Sequence, residues 1–116
     1  MKRQRAYRYG RWAERVAAGW LRLKGYRILE RNLRGTGGGA GEIDILARRG
    51  DVLAIVEVKA RAAAADEVLT ARQRHRLERA ALAQAARLGT DLRLRFDLML
   101  VLPWRWPRHI MDAWRP

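Results

Sequence analysis

The sequence predicts an α/β domain of order α-β-β-β-α-β, a mixed sheet flanked by helices. Apolar residues recur at helical spacing in two separate stretches, and segments of strand length lie between and after them. The turn signal Arg49-Gly50-Asp51 joins two of those segments into a hairpin. At 116 residues the chain can enclose one core and is too short for two. It is therefore read as a single domain over 1–116, with a basic arm at 1–6 and a Trp/Arg-rich segment at 103–116.

From Tyr7 to Lys24, Ala13, Val16, Ala17, Trp20 and Leu21 mark a helix, and Gly25 is placed to cap it. Tyr26 to Arg34 reads as a short strand, and the glycine-rich run 35–41 as a flexible connection. That run lacks the Lys-Ser/Thr and the following helix of a phosphate-cradling loop. The hairpin comes next, and residues 61–67 are ambiguous between loop and early helix. From about Thr70 to Leu88 a second helix is clear, with Gln73, Leu77, Ala80, Ala81, Gln84 and Leu88 on one face and Gly89 at its end. Leu92 to Leu102 begins alternating and ends continuously apolar, as a strand entering a sheet interior does; Asp97 within it needs hydrogen-bond partners. Pro103-Trp104-Arg105-Trp106-Pro107-Arg108 could stack bases, but the reading preferred is an edge segment whose tryptophans cover the core. His109 to Trp114 could add a last short strand, and neither His75 nor His109 has metal-ligand spacing.

The hairpin puts charges into a run that otherwise reads as core. With Gly50-Asp51 as a two-residue turn, Arg49 faces Val52, Asp44 lies opposite Glu57, and Glu42 lies opposite Lys59. Facing carboxylates repel unless a cation lies between them, so this register suggests a metal site. Mg²⁺ prefers such oxygen ligands, and Mn²⁺ is the natural substitute. Lys59 beside the ion could orient or help deprotonate a water, or neutralise charge growing on a phosphate. The bland alternative is an exposed Glu57/Lys59 pair with Asp44 incidental. Only Lys2, Lys24 and Lys59 are lysine among 25 basic residues, so lysine at 59 departs from the chain's habit. An ammonium is the more tunable group in a partly buried site.

Two polar helical residues could join that site. Glu14 borders the apolar stripe of the first helix, where it could reach a metal-bound water or pair with an arginine; Gln73 could point toward the hairpin's carboxylates, or be an ordinary helix-start glutamine. Arg8, Arg11, Arg15 and Arg22 line the first helix, and Arg72, Arg76, Arg79 and Arg87 the second, suited to phosphates or to a solvated face. The net charge of +13 points to a polyanionic partner, although abundant arginine, alanine and glycine also fit a biased coding composition. With no cysteine, disulfides, thiolate zinc and thiol nucleophiles are excluded. No apolar run is long enough for a membrane span, and the N-terminus is not a secretory signal, so a cytoplasmic location is expected.

Gly10-x-x-Ala13-Glu14-x-x-Ala17, Gly25-Tyr26-Arg27-Ile28-Leu29-x-Arg31-Asn32-x-Arg34, Gly41-Glu42-Ile43-Asp44, Val56-Glu57-Val58-Lys59-x-Arg61 and Arg95-Phe96-Asp97 strongly resemble the YraN family of small bacterial proteins. The resemblance spans about residues 7 to 102. It implies the restriction-endonuclease-like αβββαβ fold of the PD-(D/E)XK nucleases, close to Holliday-junction resolvases. By it, Asp44, Glu57 and Lys59 correspond to the nuclease motif, the Val58 carbonyl is a further metal ligand, Glu14 is the accessory helix carboxylate and Gln73 the polar residue of the second helix. This chain differs in its short Ala-rich connection after Lys59-x-Arg61, its longer glycine-rich run, and glutamine where the family commonly has lysine.

The expected function is hydrolysis of phosphodiester bonds in DNA, branched or structured DNA included, with Mg²⁺ or Mn²⁺. Arg8, Arg11, Arg15, Arg61, Arg72, Arg76 and Arg79 would hold the phosphates. The resemblance also implies a homodimer. The rival expectation is a non-catalytic nucleic-acid-binding protein that keeps the nuclease fold. A third is a basic surface that meets an acidic protein partner.

Overall fold

The computed structural model describes residues 2–34, 42–60, 71–89 and 91–115, with side chains from residue 10 onward except those of 33, 34 and 42. Its elements are α1 (Lys2–Leu23), β1 (Arg27–Arg34), β2 (Glu42–Arg49), β3 (Val52–Lys59), α2 (Ala71–Leu88), β4 (Arg93–Leu100) and β5 (Arg108–Trp114). The strands form one sheet in the order β1-β2-β3-β4-β5. All neighbours run antiparallel except β3 and β4, which are parallel and have α2 between them, the crossover that a parallel pair needs. The predicted α/β order is present, with β5 appended.

Both helices end as their glycines foretell. At Gly25, φ is +90°; the Tyr26 amide donates to Leu21 O and the Gly25 amide to Arg22 O, each at 3.0 Å. This is the Schellman pattern, which satisfies carbonyls the helix would otherwise orphan. At Gly89, φ is +111° and its amide donates to Ala85 O at 3.1 Å. The start of α1 departs from the reading: the helix begins at Lys2 rather than near Tyr7, so it takes in residues 2–6.

Two apolar clusters sandwich the sheet. On one face Leu46, Leu53, Ile55, Phe96 and Leu98 pack with Leu77, Ala80 and Ala81 of α2. On the other, Ile45, Ala47, Ala54, Val56 and Met99 pack with Ala13, Ala17, Ala18 and Leu21 of α1. Strand alternation sends successive residues of β3 to opposite clusters, which is why its sequence is apolar on both faces. Each fully buried Leu or Ile contributes roughly 1.5–3 kcal/mol. The inner stripe predicted for the second helix is buried from Leu77 to Gln84, whereas Gln73 and Leu88 at its two ends are exposed.

Asp97 is fully buried on β4 and has the partners the sequence demanded of it. Arg95 donates from Nε to Oδ1 at 2.8 Å and from Nη2 to Oδ2 at 2.7 Å, and the Asp112 amide donates to Oδ1 at 3.0 Å. Asp112 sits at φ +55°, where the β4/β5 register shifts, so the extra residues of β5 turn an amide inward. His109 Nε2 lies 2.7 Å from Asp97 Oδ2, and its Nδ1 faces the Lys24 ammonium. An ammonium only donates, so Nδ1 accepts and Nε2–H donates to Asp97. Arg95 also bonds the Tyr26 hydroxyl. The network ties the connection between α1 and β1 to β4 and β5.

The expectation that Trp104 and Trp106 cover the core is overturned. They are 75% and 81% exposed, and the aromatic that closes the core at this edge is Trp114, tilted against Phe96 with ring centroids 5.4 Å apart. Pro103 and Pro107 fall in the turn before β5, so the alternating stretch never enters the sheet.

Candidate active site

The β2/β3 turn sets the site. Gly50 has φ +60° and Asp51 is not in the left-handed region, which is a type II′ turn with glycine at its first central position. The register that follows pairs Arg49 with Val52, Leu46 with Ile55 and Ile45 with Val56. One step beyond the last of these pairs are Asp44 and Glu57.

Their side chains meet. Glu57 is pushed up to about 8 from an ordinary 4.5, first by burial and then by the Asp44 charge and a hydrogen bond with Asp44, with Lys59 working against the rise. Lys59 Nζ lies 3.2 Å from Glu57 Oε1; the side chains are 26% and 13% exposed. Asp44 is half-buried and its Oδ2 accepts the Val58 amide at 2.9 Å. Ile43 packs in the α2-side cluster with Leu46, although simple alternation would group it with Ile45. The strand therefore rolls about its axis at Asp44, and the carboxylate takes a main-chain donor from β3.

This arrangement holds two carboxylates against one lysine in a partly dehydrated place. Among the described residues no group of three or more Asp, Glu or His side chains is placed to hold a metal. The two carboxylates fit Mg²⁺, which binds through one or two of them and keeps its waters.

The remaining predicted residues are placed as follows. Glu14 is half-buried on α1 with its Oε1 atom buried. Gln73 is exposed in the first turn of α2. Arg11, Arg15, Arg22, Arg72, Arg76, Arg79 and Arg87 are all exposed, so both arginine stripes face solvent. Arg61, the side chain of Arg8 and the run 35–41 lie outside the described residues. No helix among the described residues is long and apolar enough to cross a membrane.

Comparison with known proteins agrees with the motif resemblance. Residues 13–101 match the model of the Uncharacterised protein family UPF0102. The chain belongs to the UPF0102 (YraN) family. A UPF0102 protein of Paramagnetospirillum magneticum is 57% identical, covering 97% of this chain and 91% of its own length. Relatives from Parvibaculum lavamentivorans and Maricaulis maris are 55% and 48% identical, covering 96% and 98% of this chain and 84% and 91% of their own. Asp44, Glu57 and Lys59 all lie inside the segment that matches the family model.

Proposed function

We propose that this UPF0102 protein is a Mg²⁺-dependent nuclease that hydrolyses phosphodiester bonds in DNA. The observation that carries this reading is the convergence of Asp44 and Glu57 beside Lys59, with Glu57 raised to about 8. Asp44, Glu57 and the Val58 carbonyl would hold the ion. When bound, it supplies a Lewis acid for a phosphoryl oxygen and charge to balance the carboxylates.

The chain's own residues do the rest. The Val58 amide fixes the Asp44 carboxylate. The Lys59 ammonium, 3.2 Å from Glu57, would orient the attacking water and neutralise charge on the phosphate. Glu14 and Gln73, one from each helix, would be the supporting polar residues that the family resemblance implies. The exposed arginines hold phosphates without reading sequence, so affinity should fall steeply with salt.

Those same arginines favour a second reading, a nucleic-acid-binding protein that performs no chemistry. Asp44→Ala separates the two. Cleavage of duplex, branched and single-stranded DNA in Mg²⁺ or Mn²⁺ should vanish while affinity is kept or improves, since a negative charge has gone. A wild-type protein that binds every substrate and cuts none would leave the second reading in place.

A further inference from the structure

The turn between β4 and β5 carries two large apolar side chains that the fold leaves in water, Trp104 at 75% and Trp106 at 81% exposure. Exposed Arg105 separates them and exposed Arg108 follows. Trp106 is held in place: its ring stacks on Trp20 of α1 with centroids 5.5 Å apart and planes 29° from parallel. Its exposure leaves the other face of the indole to solvent.

This turn stands at the same end of the sheet as the candidate site. β3 and β4 are parallel, Lys59 is paired with Leu100, and the Val101 amide donates to Lys59 O at 2.9 Å. Trp104 is four residues beyond Leu100, a reach of at most ~14 Å along the chain.

We propose that Trp104 and Trp106 form a stacking platform for unpaired bases of the nucleic acid whose phosphate is held at Asp44, Glu57 and Lys59. The substrate is then one with single-stranded nucleotides beside the bond to be cut, an inference that rests on the nuclease reading above. A base inside a duplex has both faces covered by its neighbours, whereas an unpaired base offers a free face to an indole. Arg105 and Arg108 supply positive charge for the phosphates on either side. A buried apolar partner would leave no use for arginines interleaved with the rings, so charge complementarity favours nucleic acid as the occupant.

The test measures binding of the full chain in EDTA to a labelled single strand, a blunt duplex and a duplex with a single-stranded arm. Trp104→Ala is the variant least able to disturb the fold, and the W104A/W106A double variant extends it. Each tryptophan removed should cost about tenfold in affinity for the single strand and the armed duplex. The blunt duplex should change by less than about twofold, and the salt slope should hold because no cation is removed. W104F should retain most of the affinity. Equal losses on all ligands, or no loss, would overturn the proposal. So would a dimer that W104A dissolves while oligonucleotide affinity is unchanged, since the occupant would then be a second copy of this chain. Cleavage with Mg²⁺ separates this idea from the one beneath it. A wild type that shows the stacking losses but cuts nothing sinks the nuclease reading and keeps the platform. Blunt and armed duplexes cut equally fast by wild type and W104A sink the platform and keep the nuclease.

Discussion

Glu57 and Asp97 lie on adjacent strands, both largely out of water, and their surroundings act on them in opposite directions. Burial alone would raise the pKa of either. At Asp97 the donors from His109, Arg95 and the Asp112 amide outweigh burial, and the carboxyl is held below its usual range. At Glu57 burial is joined by the Asp44 charge, one lysine is not enough to offset them, and the carboxyl rises to about 8. A carboxylate whose lone pairs are already filled is a piece of structure. On the nuclease reading proposed above, one that keeps a like-charged neighbour is poised for a cation.

The largest effect should come from breaking the filled site. Asp97→Ala strands the Arg95 guanidinium, the His109 Nε2–H and the Asp112 amide, and should cost about 3–5 kcal/mol in urea unfolding. That is a large share of the ~5–15 kcal/mol a domain possesses. A loss below about 1 kcal/mol would mean that water replaces the carboxylate and the network is ornamental.

The opposite sign is expected at the poised site. Because the folded pKa of Glu57, about 8, lies above its ordinary 4.5, the folded state keeps a proton that the unfolded chain releases across this window. The contribution is complete below pH 4.5 and is lost as pH rises through about 8. Glu57→Gln should therefore flatten the fall in stability over that range and gain roughly 1–3 kcal/mol at its upper end in the metal-free protein. Mg²⁺ should raise the melting temperature of the wild type more at the alkaline end than at the acidic end, and leave Glu57→Gln nearly unmoved. Wild type whose stability is flat with pH from 4.5 to 8 would remove the case for a cation-seeking pair. Asp97 contributes in the reverse sense: its share is present above the ordinary 3.8 and disappears as pH falls through its lower folded value.

How far each site was legible follows from the range of the interactions that build it. The hairpin was read correctly because its determinants are local: glycine first in the turn, and apolar residues of period two on either side. Gly25 and Gly89 were legible as helix stops for the same reason. Asp97 could be seen to need partners, but His109 and the Asp112 amide reach it only because β5 folds back with a register shift, which no nearby residue announces. The two tryptophans of the β4/β5 turn were misplaced because Trp-Arg-Trp has the alternation of an edge strand. The flanking prolines at 103 and 107 were the signal that should have outweighed it. Gln73 followed the apolar stripe of its helix to a point where that stripe is no longer covered.

The smallest expected effect concerns the turn that brings Asp44 to Glu57. Gly50 at φ +60° has nothing within 4 Å of where a Cβ would stand, so an alanine there meets backbone strain without a clash. Gly50→Ala should cost roughly 1–2 kcal/mol in urea unfolding. The Mg²⁺-induced rise in melting temperature should survive, because a slip of one residue would turn Leu46, Leu53 and Ile55 out of the α2-side cluster. Loss of that response in Gly50→Ala, with the fold intact, would show that the turn and not the apolar alternation holds the carboxylates together. The two sites would then differ in a further respect, since Asp97 is fastened by four hydrogen bonds of its own and Glu57 would depend on a single glycine nearby.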